Sequence, residues 1–192
     1  MLVTHDREKL LNALVYFLGA TKHAHTLKLF KLLNFSDFEH FRQTGRSIFN
    51  LEYRALPKGP VPVALLKELG RGGDADLKKA IALFEVRDEI NDELLRRVLK
   101  AKIPFDPKFF SRRELKIMDR IAEFFRDFKA NDMSEFSHIK GLPWRAVYND
   151  GKGRNSIIPL ELALKSDPLV HEAATIVPEE LEDRQELTRN IA

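Results

Sequence analysis

The sequence predicts a helix-dominated α+β domain, compact and mainly α, with one small antiparallel β-sheet or hairpin. Three observations carry this. Apolar residues recur at helical spacing over residues 10–18, 27–41 and 115–128. Pro57, Pro60 and Pro62 interrupt that pattern with a stretch no helix can hold. A two-residue alternation then surfaces over residues 95–103.

The 192 residues suffice for one domain with its own core. They are 44% hydrophobic, and 14 Phe supply large surfaces to bury. Charged residues reach 32% yet sum to only +3. Acids and bases are interspersed, which points to a solvated surface rather than a nucleic-acid footprint. Without Cys there are no disulfides, thiolate zinc sites or Cys nucleophiles, and a reducing compartment suits the chain. Residues 1–9 are too charged for a signal peptide, and no stretch approaches the ~20 apolar residues that span a bilayer. The expectation is a soluble cytoplasmic protein with no cofactor and no membrane partner.

From Asp6, the residues Leu10, Leu11, Leu14, Val15, Phe17 and Leu18 draw a first helix that Gly19 can stop. A second runs from Thr26, as N-cap, to near Phe41, and Gly45 ends it. Its rows Leu27, Phe30, Leu33 and Leu29, Leu32 leave it apolar on most sides, which places it at the centre of the domain. Over residues 47–56, Ile48, Phe49, Leu51, Tyr53 and Ala55 alternate as a strand does, and the prolines and Gly59 then force a turn. A helix over 63–69 follows, then a loop at 71–74 with Asp74 capping a helix over 77–83.

Residues 85–102 support two readings. Leu95, Arg97, Leu99, Ala101 and Ile103 alternate as a strand that Phe84, Val86 and Ile90 could pair through a turn near Asn91 and Asp92. The same residues also suit a charged helix; the hairpin is preferred. Strand residues near Arg97 to Ile103 are candidates to join the sheet near Ile48 to Ala55.

Ser111 and Glu114 spell a capping box, and Leu115, Met118, Ile121, Ala122, Phe125 and Phe128 draw one apolar stripe after it. A shorter helix over 134–139 is broken by Gly141 and Pro143, residues 149–155 read as a mobile loop, and Pro159 opens a brief helix to Leu164. The domain is expected over residues 1–165, with 166–192 a polar, acid-rich extension.

Two blocks say more than periodicity. The first is Leu27-Lys28-Leu29-Phe30-Lys31-Leu32-Leu33-Asn34-Phe35-Ser36-Asp37, continued by Glu52-Tyr53-Arg54-Ala55-Leu56-Pro57-Lys58-Gly59-Pro60-Val61-Pro62. The second is Phe110-Ser111-Arg112-Arg113-Glu114-Leu115, then Ser134, Ser137 and His138, then Pro143-Trp144. In this order they resemble the SocA-like antitoxin family, whose shared module is the Panacea domain. Its pattern is a K-L-L-Y-F-like helix, a Y-x-A-x-x-x-G-P-V turn, and a late S-x-x-S-H followed by P-W. The resemblance implies a cytoplasmic antitoxin that neutralises a neighbouring gene's protein toxin by direct binding. A further implied role is that of adaptor toward an ATP-dependent protease. Asn34 departs from the pattern, standing where the family tends to have Tyr.

Each motif residue also has a plainer reading. Turn chemistry explains Tyr53, Ala55, Gly59, Pro60 and Val61 without a partner. Ser134, Ser137, His138, Pro143 and Trp144 fit a structural cluster better than a catalytic one, since Glu135 and His138 lack a nucleophile or metal set. The candidate toxin-binding residues are Phe49, Tyr53, Arg54 and Lys58, as aromatic and cationic anchors. His5, His23, His25 and His40 do not stand at ligand spacing. Asp106 with Glu114 and Lys116 echoes a nuclease pattern only weakly, because the capping box already uses Glu114. Gly151 to Arg154 lacks phosphate-loop spacing. Two rival functions remain at this point: a nucleic-acid-associated regulator of its own operon, and a metal-dependent hydrolase built on Glu135 and His138.

Overall fold

Every residue from Lys28 to His40 is buried within one helix, and the rest of the protein is packed around it. The computed structural model describes residues 5–87 and 94–166. In order these form α1 (Asp6–Ala20), α2 (Thr26–Thr44), β1 (Tyr53–Leu56), β2 (Gly59–Pro62), α3 (Val63–Gly70), α4 (Ala75–Ala80), β3 (Ile81–Arg87), β4 (Leu94–Ala101), α5 (Arg112–Phe124), α6 (Ala130–Ser137) and α7 (Pro143–Tyr148). Short 3₁₀ turns lie at Pro107–Phe109, Asn149–Gly151 and Leu160–Lys165. The architecture is helix-dominated α+β with two small antiparallel two-stranded sheets, β1–β2 and β3–β4.

The central helix is α2, as its all-round apolar pattern requires. It touches α1, α5, α6, β2 and the Leu160–Lys165 turn. Phe35 stacks on Phe125 at 4.9 Å inside the larger core, while Phe38, one turn on, meets Tyr53 at 6.0 Å in a smaller one. Gly45 closes the helix in the left-handed region (φ 70°), its N–H donating to Phe41. At the other end the cap is His25, not Thr26. The His25 ring nitrogen accepts from Leu27 N–H at 3.3 Å, and Thr26 is already helical. The first helix likewise passes Gly19 and stops at Ala20, where Thr21 turns extended and its hydroxyl donates to Phe17 O. The capping box of α5 is present in full.

Four expectations need correction. The strand does not begin near Ile48. The backbone N–H groups of Ile48 and Phe49 both donate to Asp37 Oδ1, at 2.7 and 2.9 Å, so they have no strand partner. The expected helix over 77–83 ends at Ala80, and Ile81 starts β3. The helix read over 134–139 lies at α6, four residues earlier at its start, where Asp132 accepts from Lys129 N–H at 2.8 Å. The sheets are not joined through Arg97 to Ile103. Beside β1 lie residues 155–158 instead: Ala55 N–H donates to Ser156 O at 2.9 Å and Ile158 N–H to Tyr53 O at 2.8 Å.

The hairpin reading of residues 85–102 holds, with Leu83 opposite Leu99 and Phe84 opposite Val98. Its expected turn near Asn91 and Asp92 lies outside the described residues, as does the extension beyond Ser166. No helix among the described residues is long and apolar enough to cross a membrane.

Candidate functional site

The β1–β2 hairpin pairs Tyr53 with Pro62 and Leu56 with Gly59, which leaves Pro57 and Lys58 at its tip. Gly59 has φ 105°, a positive value that residues with a side chain rarely adopt. Three side chains from three helices donate to alternate carbonyls of the turn. Trp144 Nε1 of α7 reaches Leu56 O at 2.9 Å, Ser134 Oγ of α6 reaches Lys58 O at 3.0 Å, and Lys31 Nζ of α2 reaches Pro60 O at 3.1 Å. The turn is therefore fixed by its backbone, and the Lys58 side chain is left exposed.

The geometry leaves no slack. A Cβ on Gly59 would collide with Lys31 Nζ and Ser137 Oγ. Ser137 is itself tied down, its hydroxyl donating to Ser134 O at 2.7 Å. Lys31 is 0% exposed, and burial holds its amine well below the usual lysine range. It thus serves as a hydrogen-bond donor more than as a charge.

A second buried charge fixes the base of the hairpin. Asp37 accepts from Ile48 and Phe49 N–H, and its Oδ2 accepts from the Tyr53 hydroxyl at 2.8 Å. Burial pushes the Asp37 carboxyl up to about 7, against the pull of those three donors. Lys28, one turn before Lys31, donates to the carbonyls of Lys22, Arg126 and Phe128 at 2.7, 3.0 and 2.7 Å, which staples α2 to the end of α5. Beyond the hairpin, the His138 ring stacks on Trp144 at 3.8 Å and Trp144 on Tyr148 at 4.4 Å. Burial, with Lys31 and Arg145 nearby, lowers His138 to about 4.

The chain matches the family model described as Antitoxin SocA-like, Panacea domain, over residues 29–145. It belongs to this family. No curated protein and no solved structure matches it. The Panacea domain match begins within α2 and ends in α7, so all three donors to the turn lie inside it. Family membership supports a general antitoxin role.

Within the Panacea domain the motif residues converge on the hairpin. Tyr53, Ala55, Gly59, Pro60 and Val61 are its buried side. Ser134 and Trp144 bond it, Ser137 abuts Gly59, His138 stacks on Trp144, and Pro143 opens the helix that carries Trp144. The four candidate contact residues separate. Phe49 and Tyr53 are 2% and 1% exposed and offer a rigid partner nothing. Arg54 is half-buried, donating to Glu52 and to Asn155 O at 3.0 Å each, and Lys58 is exposed at the tip.

The other candidates scatter. Glu135 is exposed, and only its backbone carbonyl meets His138, through the His138 N–H at 2.9 Å. His5 packs on Phe109, His25 caps α2, His40 faces Arg46 O at 2.6 Å, and His23 is exposed. Among the described residues no three His, Asp or Glu gather where a metal could bind. Asp106 caps the Pro107–Phe109 turn, while Glu114 serves the capping box and meets Lys9 at 2.6 Å.

Lys31, the Lys of the K-L-L-Y-F-like pattern, and Asp37 stand in the first motif block, but sequence reasoning gave neither a part in the site. The available signal was their setting: charged residues at inward positions of a helix apolar on every side must find buried partners.

Proposed function

We propose that this Panacea domain is an antitoxin that neutralises a protein toxin, encoded beside it, by direct binding at the tip of the β1–β2 hairpin. The observation that carries this reading is the threefold hold on the Leu56, Lys58 and Pro60 carbonyls. Donors from three helices are committed to one turn, which makes the turn rigid before any partner arrives. A contact loop already ordered loses little entropy on binding. Lys58 gives the tip an exposed positive charge that suits an acidic patch on the toxin.

The test is growth of cells expressing the neighbouring gene, with and without this chain. Rescue is expected. The reversal Lys58→Glu, at an exposed position of the tip, should keep its thermal midpoint within a degree or two. It should also weaken toxin binding by about tenfold or more. Rescue undiminished by the reversal would remove the tip as the contact. Direct occlusion further requires the toxin level to stay constant during rescue; a falling level would instead assign the chain the role of adaptor to an ATP-dependent protease.

A further inference from the structure

Charge is unevenly divided along the chain. Residues 167–192 hold seven acids and two bases, so the excess of bases belongs to the residues before them. Part of that excess is a row on α5. Arg113, Lys116 and Arg120 stand three and four positions apart, which puts them on one face of the helix. Arg113 and Lys116 are exposed, and Arg120 is half-buried. The neighbouring acids of α5 serve α1 instead: Glu114 accepts from Lys9 Nζ at 2.6 Å, and Asp119 accepts from the Tyr16 hydroxyl at 2.5 Å.

The described residues end close to this row. Ser166 lines one small cleft with Glu39 and Arg42 of α2. Arg42 and Gln43 both donate to Glu39, and Gln43 Oε1 accepts from Arg113 Nη1 at 3.2 Å. Glu39 and Gln43 therefore bridge the distance from Ser166 to the head of the row. In the residues that follow, Glu179, Glu182 and Glu186 recur at the same three- and four-residue spacing as the three bases. The thirteen positions from Ser166 to Glu179 can span ~45 Å when extended, several times the ~10 Å from Arg113 to Arg120 along α5.

A single exposed ion pair contributes little, and salt screens it. A row of acids on a tether differs, because the tether holds it at an effective concentration on the order of millimolar. Matching rows of opposite charge then act together, and the same acids repel other anions from the face they cover.

We propose that the acidic stretch from Glu179 to Glu186 docks on the Arg113, Lys116 and Arg120 face of α5. The extension is then a built-in competitor for that face, and an outside polyanion reaches the row only by displacing it. This inference does not depend on the hairpin tip as the toxin contact.

With no native Cys, two spin labels can be placed in the full chain, at Arg112→Cys on α5 and Gln185→Cys in the extension. Pulsed electron resonance reads the distance between them. One short, narrow separation is expected at low salt, and a wide distribution in high salt. Arg113→Glu with Lys116→Glu should lose the narrow separation at low salt, and adding Glu179→Lys with Glu182→Lys should restore it. Restoration by the second reversal is a result that misfolding cannot give. A wide distribution in the wild type at low salt would overturn the proposal, as would a narrow one that salt leaves unchanged. Failure to restore it in a variant that melts as the wild type does would count equally against it. Binding of a short DNA duplex that needs Arg113 and Lys116 yet leaves the label distance unchanged would assign the row to nucleic acid instead.

Discussion

Lys31 shows how a single side chain can determine where a turn sits. Its amine is 0% exposed and donates to one carbonyl, Pro60 O at 3.1 Å, with no carboxylate beside it among the described residues. An ammonium in that position would forfeit several kcal/mol of hydration without an ion pair to offset it. The folded protein therefore favours the neutral amine, and the Lys31 pKa falls below its unfolded value of 10.5. The sign follows from linkage. Between the two values the unfolded chain binds more protons, so the contribution of Lys31 to stability is full above 10.5 and is lost as pH falls toward the folded value. Lys31→Met should flatten this dependence while removing the one hydrogen bond. Denaturant titrations at several alkaline pH values check it: the wild type gains stability with pH more steeply than the variant. Equal slopes would mean that Lys31 is charged in the fold.

At the scale of the element, the β1–β2 hairpin depends on Gly59 having no side chain. Gly59→Ala sets a methyl against Lys31 and Ser137 and demands φ 105° from a residue that rarely adopts it. Overpacking and backbone strain together are expected to cost on the order of 2–4 kcal/mol, read as a lowered urea midpoint. In a Lys31→Met background, whose side chain ends one atom shorter, the same substitution should cost less; a fully additive cost would show that the two sites do not touch. The sequence made some elements legible and hid others for identifiable reasons. The Ser111–Glu114 box and its stripe announced α5, because both signals are local to one helix. Alternation likewise announced β3–β4. Residues 48–52 alternate too, but Asp37 had already claimed the N–H groups of Ile48 and Phe49, a contact across 11 and 12 positions that no window can see. The same holds for residues 155–158, about a hundred positions from the strand they flank. The motif blocks located the site and contained Lys31 and Asp37, but their buried partners, Pro60 O and the N–H groups of Ile48 and Phe49, lie too far along the chain for the pattern to name.

Over the whole molecule, α2 is what makes two cores one. Leu29, Phe30, Leu32, Leu33 and Phe35 belong to the larger cluster with α1 and α5, whereas Phe38 belongs to the smaller one with Tyr53, Trp144 and Ile158. Leu51 packs against both. Polar ties run the same way: Lys28 joins α2 to the end of α5, while Lys31 and Asp37 join it to the hairpin and its approach. A helix buried along its length cannot lose one cluster and keep its packing on the other, so the described residues should unfold as a single cooperative unit. The sequence supplies a reporter for this, since Trp144 is the only Trp and it sits in the smaller cluster. Urea unfolding followed by Trp fluorescence should coincide with unfolding followed by far-ultraviolet circular dichroism, which reports chiefly on α1, α2 and α5 (the long helices). A fluorescence transition at clearly lower urea would mean that the α7 wall separates first. The hairpin tip would then be held only while the Trp144 bond to Leu56 survives, and its rigidity as a binding surface would be lost before the fold is.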